Sequence, residues 1–242
     1  MKTVFENIKG VIFDYGGTID TNSVHWAEVL WAAYVKMEIP VEKQDFRDAY
    51  VYGERAMAKN LLVKPTDNFH QVLRIKTHLQ INRLVELELL KVDATQQVIY
   101  AEGVADICYQ HVLDILVMSR EVVRKLAEKY KLVLVSNFYG NIETILKDFQ
   151  LDSFFSSIVE SHVVGVRKPD PAIYQLGVDA MGFRPEEIVV IGDSYSKDMV
   201  PAKKVGCKAV WLSGPAWGKE EIDPNLPDVT IHSLLEVLDY LL

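Results

Sequence analysis

Short segments scattered along this chain carry side chains suited to handling a phosphate group. Asp14 follows the apolar run Gly10-Val11-Ile12-Phe13 and precedes Gly16-Gly17-Thr18. A glycine pair lets the backbone turn sharply and approach a ligand closely, and Thr18 adds a hydroxyl. Ser136-Asn137 ends a second apolar run and offers a hydroxyl, an amide and the donors of a following helix to an oxyanion. Lys168, in Arg167-Lys168-Pro169-Asp170-Pro171, stands before a helix and could set an ammonium beside the same anion. Gly192-Asp193-Ser194-Tyr195-Ser196-Lys197-Asp198 ends another run with two carboxylates and no histidine or cysteine nearby. That is a hard-oxygen ligand set, suited to Mg²⁺. Taken singly, each has a plain alternative: Asp14 as a turn cap, Lys168 as a solvated loop lysine, Asp198 as a helix N-cap. Their common position argues otherwise, because the carboxyl ends of parallel strands are where open α/β sheets bind ligands.

The elements that must position them follow from periodicity. Runs at 10–13, 131–135, 157–159, 188–191 and 208–212 are short, β-rich and apolar on successive residues, as strands covered on both faces should be. Helical periods at 119–130, 141–149, 171–181 and 198–205 alternate with them, the third opened by Pro171. A last strand at 228–231 and a capped helix at 233–242 complete the series. The alternation predicts an α/β fold, a Rossmann-like, doubly wound parallel sheet. From 23 to 117 the strand signal lapses and helical periods appear at 23–37, 42–62, 66–91 and 94–116, with Thr66 or Asp67 as a cap for the third. The expected organisation is a core of residues 1–22 and 118–242, with an inserted helical subdomain at 23–117 that buries its own small core. No internal repeat or Gly/Ser-rich linker interrupts it.

Composition narrows the partners. The 242 residues are 49% hydrophobic and 25% charged, with a net charge of −8, so the electrostatic footprint of a nucleic-acid binder is missing and an anionic membrane surface would repel the chain. Cys108 and Cys207 lack any CxxC spacing and suggest neither zinc nor a disulfide framework. The opening seven residues carry charges where a signal peptide needs apolar ones, and no run approaches the ~20 apolar residues of a membrane span. A cytoplasmic protein acting on a small molecule is expected.

Asp14-Tyr15-Gly16-Gly17-Thr18, Ser136, Lys168 and Gly192-Asp193 through Asp198 resemble, in this order, the four motifs of the haloacid dehalogenase superfamily, and the helical insertion is similar to that family's C1 cap. The resemblance covers nearly the whole chain. It implies that Asp14 attacks phosphorus and carries an aspartyl-phosphate, with Lys168 as its catalytic partner. Mg²⁺ would sit on Asp14, the carbonyl of Gly16, Asp193 and Asp198, and Thr18, Ser136, Asn137 and Lys168 would hold the phosphoryl oxygens. The implied substrate is a small phosphorylated metabolite. One position departs from the family's phosphatases, which carry a second Asp two residues after the nucleophile as proton donor and acceptor. Here it is Gly16, and general acid–base help of roughly 10² to 10⁴ in rate is missing from that place. A preference for good leaving groups, such as acyl or aryl phosphates, is the expected consequence. Two other readings share this origin. One is a phosphate-binding regulatory protein with negligible turnover. The other is a phosphonate or haloacid hydrolase: the former would use a cap lysine such as Lys36, Lys43 or Lys59, while the metal-free haloacid branch fits poorly with paired Asp193 and Asp198. Possible cap contacts to substrate are His25, Trp26, Tyr50, Tyr52, Arg55, His70 and Arg74.

Overall fold

A computed structural model describes residues 5–215 and 221–242; the first four residues of the charged opening lie outside them. Strands β1 (Gly10–Phe13), β2 (Lys131–Ser136), β3 (Ser157–Glu160), β4 (Ile188–Gly192), β5 (Lys208–Leu212) and β6 (Val229–Ile231) form one parallel sheet in the order β3-β2-β1-β4-β5-β6. The strands came out within a residue or two of the periodicity reading. Successive residues of β1 serve opposite layers: Val11 and Phe13 face one core, and Ile12 packs with Val133, Val135, Ile173 and Tyr174 on the other face. Burial on both faces is why the run reads as unbroken hydrophobicity. Each such side chain, fully removed from water, contributes about 1.5–3 kcal/mol.

Register brings the strand ends level. Phe13 pairs with Leu134 on one side and Ile191 on the other, and the Asp14 amide donates to the Ile191 carbonyl at 2.9 Å. The residues after β1, β2 and β4 therefore leave the sheet at one edge. After β1 the chain builds β2 and β3 on one side and then β4 to β6 on the other, so this edge is the topological switch point.

Between β1 and β2 lie α1 (Trp26–Lys36), α2 (Lys43–Lys59), α3 (Phe69–Glu86) and α4 (Ala94–Ala127). Two details correct the sequence reading. Helix α3 is capped by neither Thr66 nor Asp67: Asn68 accepts from the Gln71 amide at 3.0 Å while the Gln71 side chain accepts from the Asn68 amide at 2.8 Å, a reciprocal capping box. The expected break near residue 117 does not exist, because α4 runs for 34 residues, about 51 Å at 1.5 Å per residue. Its buried positions Val104, Ala105, Cys108, Val112 and Leu116 continue into Ser119, Val122, Val123 and Leu126 with unbroken helical spacing. Ser119, where the periodicity reading opens a new helix, is a buried position inside that stripe.

The remaining helices are α5 (Ile142–Asp148), α6 (Ser161–Val164), α7 (Ala172–Met181), α8 (Val200–Lys204) and α9 (Leu238–Leu241), with α7 following Pro171 as expected and α9 preceded by a short 3-10 turn at Leu234–Val237. The helix read at 198–205 instead begins as a π-helical turn, Tyr195–Met199, capped by Ser194. Asp198 thus lies inside the turn rather than at a helix cap. No described helix is long and apolar enough to cross a membrane.

Candidate active site

Asp14 leaves β1 almost fully buried at the switch point. Its Oδ1 accepts from Lys168 Nζ at 2.5 Å and its Oδ2 from the Thr18 hydroxyl at 2.9 Å. The same ammonium donates to Asp198 Oδ1 at 2.7 Å. Asp198 is held further by the Tyr174 hydroxyl at 2.7 Å and the Ser194 amide at 3.0 Å. Asp193 completes a set in which one carboxylate oxygen from each of Asp14, Asp193 and Asp198 lies within 4.8 Å of the others. Residues separated by up to 184 positions in sequence meet here because β1 and β4 end side by side.

Glycines make the crowding possible. A Cβ on Gly17, whose φ is +99°, would stand 2.3 Å from Asp193 Oδ2, and one on Gly192 would stand 2.6 Å from the Asp198 carboxylate. Gly16 differs: it is exposed, and a Cβ there would meet nothing within 4 Å. The place where a second Asp would stand is therefore open.

Burial dominates the electrostatics. It pushes the Asp14 carboxyl above its ordinary value against the opposing pull of Lys168, and pushes Asp193 well above its own, with the charges of Asp14 and Asp198 adding to the effect. For Lys168 burial favours the neutral amine, but the two carboxylates outweigh it and hold the ammonium charged. Three acidic groups thus share one cation, and crowding of this kind favours a divalent ion with hard-oxygen preference. The donor set fits Mg²⁺, with Asp14, Asp193 and Asp198 as the residues able to hold it.

The other expected site residues divide. Ser136 is buried at the end of β2, at the same edge. Asn137 is committed to Lys168: its Oδ1 accepts from the Lys168 amide at 2.9 Å and its Nδ2 donates to the Lys168 carbonyl at 3.1 Å. In this arrangement it positions the lysine. Among the lysines of the helical insertion, Lys43 pairs with Glu28 at 2.7 Å, and Lys36 and Lys59 are exposed. Tyr52 and Arg55 are exposed as well, while His70 and Arg74 pair with Asp106 and Glu102 along the α3–α4 groove.

A second layer surrounds these residues, and sequence reasoning missed its Glu54, Lys76 and Tyr139. Asp20, fully buried, accepts from the Gly17 amide at 2.7 Å and from Trp26 Nε1 at 2.9 Å, and burial raises its carboxyl to about 7. Lys76 of α3 lies 5.6 Å from the Trp26 ring and 6.0 Å from the Tyr139 ring, and pairs with Glu54 of α2 at 2.7 Å. The Tyr139 hydroxyl donates to the other Glu54 oxygen at 3.1 Å. A signal for Lys76 was present: it shares the inward spacing of Val72, Leu73, Gln80 and Ile81. Nothing local marks Tyr174 as the partner of Asp198.

A parallel sheet with carboxylates, a lysine and a threonine converging at its switch point defines a class of Rossmann-like hydrolases, and the chain belongs to one family of it. Residues 8–206 match the haloacid dehalogenase-like hydrolase family. The phosphoglycolate phosphatase of Shigella boydii is 28% identical over 252 aligned positions, covering 97% of this chain and 92% of that protein. The glyceraldehyde 3-phosphate phosphatase of Pyrococcus furiosus is 33% identical over 100 residues, 41% of each chain, so the match spans about two-fifths of that relative's length. In fold, the chain is similar to a 2-haloacid dehalogenase of Pseudomonas syringae, with a TM-score of 0.53 at 19% identity over 96% of this chain and 97% of that one.

Proposed function

We propose that this hydrolase is a Mg²⁺-dependent phosphatase of a small phosphorylated metabolite, working through a phosphoenzyme on Asp14. The observation that carries the reading is the sharing of Asp14 between Lys168 and Thr18 beside Asp193 and Asp198 at the switch point. The relatives that act on phosphoglycolate and glyceraldehyde 3-phosphate support the substrate class.

An Asp14 oxygen attacks phosphorus, and the bond to the leaving oxygen breaks with its electron pair. Water then attacks the aspartyl-phosphate, releasing inorganic phosphate and restoring the carboxylate. Lys168 offsets the charge on the phosphoryl oxygens, Thr18 and Ser136 donate hydroxyl hydrogen bonds to them, and Asn137 keeps Lys168 in place. Bound Mg²⁺, on Asp14, Asp193, Asp198 and the Gly16 carbonyl, would supply charge neutralisation for phosphoryl transfer. Residues 23–117 act as the cap over this edge. With Gly16 in place of an acid, the leaving group takes its proton from solvent, substrate or cap, and acyl or aryl phosphates are favoured over alkyl esters.

Phosphate release from acyl, aryl, sugar and nucleotide phosphates, with and without Mg²⁺, tests the reading, with Asp14→Asn as the blank. Release that survives Asp14→Asn overturns it. Gly16 also favours a second reading, a phosphate-binding protein with negligible turnover. A labelled acyl phosphate separates the two: an Asp14 adduct that hydrolyses within minutes supports the phosphatase, a permanent one the binder.

A further inference from the structure

The pair Glu54–Lys76 is a buried ion pair that the proposed chemistry on Asp14 does not use. Its cost explains why it needs a role: an ammonium with 9% of its side chain exposed has lost most of its hydration, and hydrophobic replacements of buried pairs are often neutral or stabilising. Glu54 is the more open member, with 32% of its side chain exposed. One of its oxygens is buried against Lys76, and the other accepts from Tyr139. Tyr139 follows Ser136-Asn137 by two residues, so the carboxylate of a cap helix is anchored to the loop that leaves β2.

Its surroundings connect to the candidate site. Tyr50, one turn before Glu54 on α2, packs against His25 with ring centroids 6.1 Å apart. Trp26, against Lys76, is hydrogen-bonded through Asp20 to the Gly17 turn. A carboxylate fixed by an ammonium and a phenol, with a lone pair left over and aromatic faces beside it, accepts hydrogen bonds and repels anions.

We propose that Glu54, held by Lys76 and Tyr139, selects the substrate's non-reacting end: it accepts a hydroxyl of a polyol or sugar phosphate and rejects a phosphate ester that carries a carboxylate there. This rests on the phosphatase reading of the Asp14 site and narrows its substrate class. Aromatic faces of Trp26 and Tyr139 suit the C–H faces of such a ligand.

The test is binding of glycerol 3-phosphate and of phosphoglycolate to the Asp14→Asn protein in Mg²⁺, measured by calorimetry. Glycerol 3-phosphate binds the tighter. Adding Glu54→Gln, which keeps shape and loses charge, lowers the affinity ratio of the two esters by about tenfold, as expected for a hydrogen bond to a charged group. Because Glu54→Gln leaves Lys76 buried without a counter-charge, Glu54→Gln with Lys76→Met is the second variant, and it gives the same loss of ratio. Equal binding of the two esters, tighter phosphoglycolate, or a ratio unchanged in both variants overturns the proposal. Turnover of an acyl phosphate by the unaltered protein separates the two levels: turnover with no discrimination in binding sinks the role of Glu54 and leaves the phosphatase, whereas discrimination without turnover does the reverse.

Discussion

At the residue scale the site is governed by what small side chains permit. Gly17 and Gly192 let Asp193 and Asp198 close on Asp14, whereas Gly16 faces open space. A Cβ at position 16 therefore meets no neighbour. Gly16→Asp is expected to raise turnover of alkyl phosphates by roughly 10²-fold while changing acyl-phosphate turnover far less, since only the poorer leaving group needs the proton. Steady-state rates on the two substrate types check it, and no gain on the alkyl ester would show that the missing acid is not what limits the site. Asp20 offers a pH test. Its folded carboxyl titrates near 7, raised by burial from an ordinary value of 3.8, so the native state binds the proton more tightly than the unfolded chain. Its contribution to stability is fully present below pH 3.8 and is lost as pH rises through 7. Compared with Asp20→Asn, the unaltered protein should lose relative stability between pH 4 and pH 8 in chemical denaturation. A difference that stays flat over that range would show Asp20 to be ionised throughout.

At the scale of elements, α4 joins two parts of the molecule that hydrophobic periodicity separates. Its first half packs against α1 and α3, its second against β2 and the C-terminal turns, and one apolar stripe serves both. Val117 sits where the sequence suggests a break, yet it is helical and 77% exposed, so its side chain contributes little packing. Val117→Pro removes a helical hydrogen bond and clashes with the preceding turn, at a cost of about 3 kcal/mol. One cooperative transition, shifted to lower denaturant, is expected if α4 couples cap and core. Two transitions would mean that the helical segment folds as a separate unit.

At the scale of the whole molecule, an acidic chain with net charge −8 concentrates three carboxylates at one edge of its sheet against a single lysine. A divalent cation that binds only the folded state should stabilise it by about 2.7 kcal/mol at a hundredfold excess over its dissociation constant. For a chain of this size that is a rise of roughly 5–10 °C in melting temperature. Mg²⁺ should produce it, chelation should reverse it, and Asp193→Asn should remove most of it; equal melting of the two proteins with and without Mg²⁺ would argue against the carboxylate cluster as the metal site.

Local sequence determined the strands, the turn after Asp14, the order of the four segments and the Gly16 departure, because these depend on short-range periodicity and on the chemistry of single residues. It also placed Asp14 and Asp193 at strand ends and Lys168 before a helix, and parallel topology then brought β1 and β4 to end at one edge. Tertiary structure alone decided that α4 runs unbroken, since the periods at 94–116 and 119–130 read as separate helices until the burial of Ser119 is known. It alone turned Asn137 toward the Lys168 backbone, matched Tyr174 to Asp198, and set Glu54, Lys76 and Tyr139 together from two helices and a loop. Those pairings depend on where distant segments cross, and side-chain spacing within one segment carries no record of that.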